Sequence, residues 1–469
     1  MKGGLILAKK YSARVKGELF EFSTLKEVFA KANEEKSGDV LAGIAASSAA
    51  ERIAAKRVLS EITLEEIYNN PLIPPEKDEV TKVILEGVRK PIYNHIKNWT
   101  VAELREFLLA DTTTNEDISY IRQGLTSEMI AAVCKIMSNL DLIYAASKMV
   151  VVSHCNNTLG LKGTLNSRLQ PNHPTDDVEG ILWSIREGLS YGVGDAVIGI
   201  NPVNDSVASV SRLMEATHEF IIKFNIPTQN CVLAHITTQM KAVQEGAPVS
   251  VFFQSIAGTE KGNRAFGISV SLLDEAHEVI KEYSTAAGPN LMYFETGQGS
   301  ELSSDAHEGV DQVTLEARCY GLAKRYSPLL VNTVVGFIGP EYLYDARQVT
   351  RAGLEDHFMG KLTGIPMGCD ACYTNHMKAD QNAIENLAVL LTAANCNYFM
   401  GVPMGDDVML NYQCTSYHDV ATLRQLFGLR PAPEFEQWME NMGLIRNGVL
   451  TERAGDPRVF MEGGIGVNG

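Results

Sequence analysis

Ala196-Val197-Ile198-Gly199-Ile200 is a short apolar run that ends at once in Asn201-Pro202, a polar side chain followed by a turn. The same pattern recurs at Leu291-Met292-Tyr293-Phe294, which ends in Glu295-Thr296-Gly297. It recurs again at Gly364-Ile365-Pro366-Met367-Gly368-Cys369, which ends in Asp370. Short apolar runs bounded by turn residues read as strands buried on both faces. Such strands belong to parallel sheets covered by helices, and in these sheets chemistry gathers at the carboxyl ends. An Asn, a Glu and an Asp brought to one rim predict an active site there.

With these three included, candidate strands fall at residues 149–154 (with 158–165 as the alternative), 195–200, 231–236, 249–254, 290–295, 329–336, 364–369 and 396–401. Amphipathic stretches such as Val178 to Ile185 and Leu272 to Ile280 lie between most of them. Eight strands alternating with helices over roughly 250 residues predict an α/β fold of the (β/α)8 TIM barrel type. A doubly wound open sheet is the structural alternative. The barrel is assigned to residues 146–440, after a mainly helical region over 1–145 that opens with a weakly alternating hairpin at 11–22. Capping boxes at Thr24…Glu27, Thr63…Glu66 and Thr100…Glu103 start helical runs there. The Ala-rich stretch from Val40 to Ile62 has a strong helix composition. Residues 441–469 form a C-terminal extension with a Gly-rich tail that reads as flexible.

A chain of 469 residues with 45% hydrophobic and 21% charged residues has an ordinary globular composition. Its net charge of −16 argues against nucleic acid or an anionic membrane as the main partner. Eight scattered cysteines, several inside apolar runs, suit reduced thiols better than a disulfide framework. The first apolar run is too short for a secretory segment, and no 18-residue apolar stretch exists, so a cytoplasmic location is predicted.

Arg168 and Gln170 fall on one side of an extended chain, so both would point at a barrel mouth. Taken alone, Arg168 reads more simply as a surface residue, and Glu295 or Asp370 as a helix cap. Taken together, two acids, one Arg and the amides of Gln170 and Asn201 suit a small zwitterion-like or amino-alcohol substrate held by directional hydrogen bonds. Cys369, Cys372 and His376 lack a partner pair for zinc, and no metal centre is predicted. His235 reads as buried and satisfied, and Asp406-Asp407 as a solvated helix start rather than a metal pair. Gly464-x-Gly466-x-x-Gly469 spells a dinucleotide fingerprint but has no helix after it to meet a pyrophosphate.

The runs Ser37-Gly38-Asp39-Val40-Leu41-Ala42-Gly43, Gly192 to Gly199, Phe294-Glu295-Thr296-Gly297-Gln298-Gly299-Ser300, Gly336 to Tyr344 and Gly353 to Leu362 resemble the large subunit of ethanolamine ammonia-lyase. The resemblance extends from about residue 12 to 458. It implies a TIM barrel that works with adenosylcobalamin and a small partner subunit to turn ethanolamine into acetaldehyde and ammonia. In the family the Co–C bond breaks homolytically, and the adenosyl radical takes hydrogen from the carbon that carries the hydroxyl. By resemblance, Arg168, Asn201 and Glu295 bind the substrate hydroxyl, and Gln170, Glu295 and Asp370 hold the amine, with Glu295, Arg168 and Asp370 the catalytic groups. Ser255 and Phe337, with Asn201, match positions near the corrin and adenosyl group, and Met400 one lining the pocket.

The resemblance also implies a hetero-oligomer, with six copies of each subunit, in the cytoplasm or inside a bacterial microcompartment. Glu355…Gly360 fails the Asp-x-His-x-x-Gly signature that supplies a histidine to cobalt, in line with a cofactor that keeps its own benzimidazole. Ala265 stands where a Glu touching the adenosyl ribose is expected. Two other readings compete. A cofactor-free lyase or aldolase lacks a strand-end Lys for a Schiff base, since Lys261 and Lys361 lie in loop or helical contexts. A non-enzymatic scaffold predicts a decayed rim, yet Arg168, Gln170, Asn201, Glu295 and Asp370 are all present.

Overall fold

The computed structural model describes residues 11–461, so the first ten residues and the Gly464…Gly469 fingerprint lie outside the described residues. Eight parallel strands form the central sheet: β1 (Asn166–Leu169), β2 (Val197–Ile200), β3 (Asn230–Val232), β4 (Phe252–Ser255), β5 (Met292–Thr296), β6 (Leu330–Val334), β7 (Met367–Asp370) and β8 (Tyr398–Gly401). Their spatial order is β3-β2-β1-β8-β7-β6-β5-β4. The ring closes between its two ends, where Val251 N–H donates to Asn230 O at 3.4 Å and Ser250 N–H to Asn230 Oδ1 at 2.9 Å. Each strand is followed by a long helix: α1 (Val178–Ser190), α2 (Val207–Lys223), α3 (Ile236–Gln244), α4 (Val270–Tyr283), α5 (Gln312–Lys324), α6 (Ala346–Thr363), α7 (Gln381–Ala393) and α8 (Tyr417–Phe427). This is the TIM barrel that the sequence predicts.

Seven strands fall on the predicted runs. The first does not. Residues 149–154 and 158–165 are not barrel strands: Ser153–His154 pairs antiparallel with Thr158–Leu159 and closes the barrel's amino end. Ser153 Oγ donates there to Leu329 O at 2.9 Å, and Asn397 Nδ2 to Val151 O at 2.8 Å. The true first strand, Asn-Ser-Arg-Leu, has no apolar run. Its polar side chains are bought by internal partners: Asp195 accepts from Asn166 Nδ2 at 2.7 Å, Ser167 Oγ at 2.8 Å and Arg424 Nη2 at 3.0 Å.

The N-terminal segment holds the hairpin Tyr11–Val15 with Glu18–Phe22, then helices. Thr24, Thr63 and Thr100 each accept from the backbone N–H three residues on, and Glu103 returns a bond to Thr100 N–H. Glu27 reaches instead to Ser23 N–H, at 2.7 Å. The Val40 to Ile62 stretch is not one helix. It breaks between Ser37–Leu41 and Ala49–Glu61, at a left-handed Gly43 (φ 72°), and Ser48 caps the second piece. These helices dock on α5 and α6 through buried ion pairs such as Lys36 with Glu355 at 2.6 Å. Glu355 also takes Arg351 at 2.6 Å, so the Glu355…Gly360 near-signature belongs to a structural anchor.

Among the described residues, no helix is long and apolar enough to cross a membrane, and no group of three or more His, Cys, Asp and Glu is arranged to hold a metal ion. All eight cysteines are buried and free.

Candidate active site

Arg168 is at the centre of the barrel mouth, on β1, and is 1% exposed. Its Nη1 donates to Glu295 Oε1 at 2.5 Å and to Tyr293 Oη at 2.7 Å, and lies 3.7 Å from Asp370 Oδ2. Its Nη2 donates to Asn201 Oδ1 at 3.1 Å and to Gln170 Oε1. Burial alone would weaken the guanidinium charge, but the acceptors around it outweigh that and hold it firmly protonated. Parallel pairing sets Glu295 on β5 opposite Asn332 on β6, and Asp370 on β7 opposite Val334, two residues beyond Asn332 on β6.

The two carboxylates differ. Glu295 Oε1 accepts from Arg168, Tyr293 and Asn332 Nδ2 (3.3 Å), which leaves Oε2 for a ligand. Asp370 Oδ1 has no hydrogen-bond partner although the residue is buried. Burial raises the Asp370 carboxyl to about 8 against the pull of Arg168, and Glu295 adds to the rise. Burial thus favours the protonated form of Asp370. A cavity of about 420 Å³ opens above them, lined by Gln170, Asn201, Ser255, Glu295, Asp370, Phe337 and Tyr412 among others.

The loops after β7 and β8 fold over this mouth as a small antiparallel sheet of Tyr373–Thr374, Tyr412–Gln413 and Asp406–Asp407. Asp406-Asp407 is thus not a solvated helix start. Asp407 is buried, and its Oδ2 accepts from Gln170 Nε2 at 2.5 Å and Asn172 Nδ2 at 2.8 Å. Its Oδ1 is held by the backbone N–H groups of Met409 (3.0 Å) and Leu410 (2.6 Å).

The structure brings Arg168, Gln170, Asn201, Glu295 and Asp370 together, and it sets Ser255 at the end of β4 and Phe337 after β6 on the cavity wall. It does not bring Met400 there. Met400 is fully buried in β8 behind Tyr412, whose hydroxyl donates to its sulfur at 3.8 Å, so the expected pocket contact is replaced by a backing role. His235 is satisfied, by Thr237 N–H and, through Nε2, by Phe266 O at 3.1 Å, but it also lines the cavity. Ala265 is exposed at the end of the short helix Glu260–Ala265, next to the cavity-lining Phe266. Tyr293, Asn332, Asn172 and Tyr412 complete the network and were not singled out from sequence. Tyr293 had a usable signal, since it shares a face with Glu295 two residues on.

Comparison with known proteins adds what geometry does not. The family profile described as Ethanolamine ammonia lyase large subunit (EutB) matches residues 20–453. The ethanolamine ammonia-lyase large subunit of Escherichia coli (strain K12) is 60% identical over 444 residues, covering 95% of this chain and 98% of that protein. The subunit of the same name from Salmonella typhimurium (strain LT2) matches with the same identity and coverage. With a barrel of the predicted kind and a match along nearly its whole length, the chain belongs to the ethanolamine ammonia-lyase large-subunit family, a family of lyases.

Proposed function

We propose that this chain is the catalytic large subunit of a two-subunit, adenosylcobalamin-dependent enzyme that converts ethanolamine to acetaldehyde and ammonia. The observation that carries the reading is the pairing of one fully buried guanidinium with two unlike carboxyls under a cavity, Glu295 bonded and Asp370 open. An amino alcohol needs donors for its oxygen and acceptors for its ammonium, and the two sets lie side by side here.

The residues also fit the cofactor. A cavity of about 420 Å³ is generous for a substrate of four heavy atoms and leaves room for a nucleoside-sized group beside Ser255 and Asn201. A corrin is too large for that space, but Val203, Phe337, Met404 and Val408 offer exposed apolar surface on loops at the strand ends. When bound, adenosylcobalamin supplies the radical that takes hydrogen from the substrate and returns it.

The chain's own residues orient and exclude. Arg168 and Asn201 hold the hydroxyl and stabilise charge that develops on its oxygen in a dry pocket. Glu295, Asp370 and the Gln170 carbonyl accept from the amine. Asp370, whose burial favours its protonated form, accepts from the ammonium through a carboxyl oxygen that has no other partner. The partner in this reading is the small subunit, which the relatives' designation as large subunits supports.

The test is an anaerobic assay in dim light of this chain co-expressed with its small subunit, with ethanolamine and adenosylcobalamin. Acetaldehyde formation that depends on the coenzyme is expected. A soluble, cobalamin-loaded complex that forms none would sink the proposal.

A further inference from the structure

Asp407 remains without a role in the chemistry above, although it is buried at the mouth and shares one carboxylate oxygen between two amides of the site. A glutamine amide has a donor end and an acceptor end, and which end faces a ligand depends on its neighbours. Gln170 sits between Arg168, which can only donate, and the Asp407 carboxylate, which can only accept. One orientation satisfies both: NH2 toward Asp407, carbonyl oxygen toward Arg168. Tyr412 reinforces it, because its hydroxyl takes Gln170 Nε2 at 3.1 Å. The same Asp407 oxygen holds Asn172 Nδ2, and Asn172 Oδ1 in turn accepts Asn201 N–H at 2.8 Å.

We propose that Asp407 is a positioning residue for the ammonium end of the substrate. It keeps the Gln170 amide turned so that its carbonyl oxygen, which also accepts from Arg168, is the end open to the cavity that Gln170 lines. This role rests on the amino-alcohol reading of the site. It gives the small sheet over the mouth a task in recognition: the closed position of residues 406–407 and a correctly turned Gln170 become one state. With Asp407 removed, Gln170 can present its NH2 to an ammonium ion, a donor facing a donor.

The test uses the complex with the small subunit and two ligands of similar shape, ethanolamine and uncharged propan-1-ol, with dissociation constants taken from ligand-observed NMR titrations. In Asp407→Asn the substituted carbonyl can still accept from Met409 and Leu410, so the local turn is preserved. Its NH2 then faces Gln170. The variant is expected to weaken ethanolamine binding about tenfold or more, the size of a hydrogen bond to a charged group, and to leave propan-1-ol nearly unchanged. The double variant Gln170→Glu/Asp407→Asn restores an acceptor facing the cavity and should recover most ethanolamine affinity. It is also the deciding measurement if the single variant is unstable. Equal weakening of both ligands, no weakening, or a double variant no better than the single one would overturn the role. Wild-type complex that binds ethanolamine without turning it over would defeat the deamination reading and leave the Asp407 assignment standing.

Discussion

Two arginines in this barrel are almost fully buried and each meets two carboxylates, yet they do different work. Arg318, on α5, has all three nitrogens engaged: Nε donates to Gly258 O at 2.8 Å, Nη1 to Glu128 at 2.5 Å, and Nη2 to Asp78 at 2.7 Å and Thr81 at 2.8 Å. It ties the N-terminal helices to the barrel wall. Arg168 is unsaturated: its own Nε, Asp370 Oδ1 and Asn332 Oδ1 all lack partners, and a cavity lies above. A buried network without spare valences is a fastener. One with spare valences facing a cavity is a site that waits for a ligand.

Substituting each arginine separates the two roles. Arg318→Met strands Asp78 and Glu128 in the interior and should cost about 3–5 kcal/mol of stability, read as a large drop in melting temperature or loss of soluble protein. Arg168→Met should cost less stability, because Glu295 and Asp370 face a cavity, while turnover falls by about a thousandfold. Equal melting losses would erase the distinction.

Asp370→Asn separates site from fastener by pH. The wild-type carboxyl holds its proton up to about 8 when folded and loses it near 4 when unfolded. Between those limits the folded state binds more protons, so wild-type stability falls as pH rises, at up to about 1.4 kcal/mol per unit. The variant lacks this slope, so its stability advantage should widen from pH 5 to 8 in urea unfolding and then level off. A constant gap would mean that Asp370 is ionised in the folded protein. The smallest effect is expected for Tyr412→Phe, which removes one acceptor from Gln170 Nε2. A loss of about 1 kcal/mol should raise KM for ethanolamine severalfold with kcat nearly unchanged.

Much of this was legible in the sequence, for physical reasons. Apolar strands with polar ends are conspicuous, so seven strands and the positions of Asn201, Glu295 and Asp370 could be read directly. Strand β1 was hidden because its buried side chains are polar and satisfied by Asp195 and Arg424, which are distant in sequence. Asp407 was misread for a related reason: beside Asp406 it looks like surface charge, and only pairing of the β8 loop with Tyr412–Gln413 buries it. Asn332 sits beside Thr333 in an otherwise apolar strand, and its meaning comes from its register against Glu295.

Glu295→Gln decides whether the Arg168 cluster is catalytic or a second fastener. The substitution removes one negative charge at nearly constant volume, and the Arg168 and Asn332 donors keep an oxygen to bind. In the complex loaded with coenzyme and small subunit, a melting temperature within a few degrees of wild type and turnover below detection are predicted. A variant that keeps substantial turnover, or one that unfolds as Arg318→Met is expected to, would place the cluster among the fasteners.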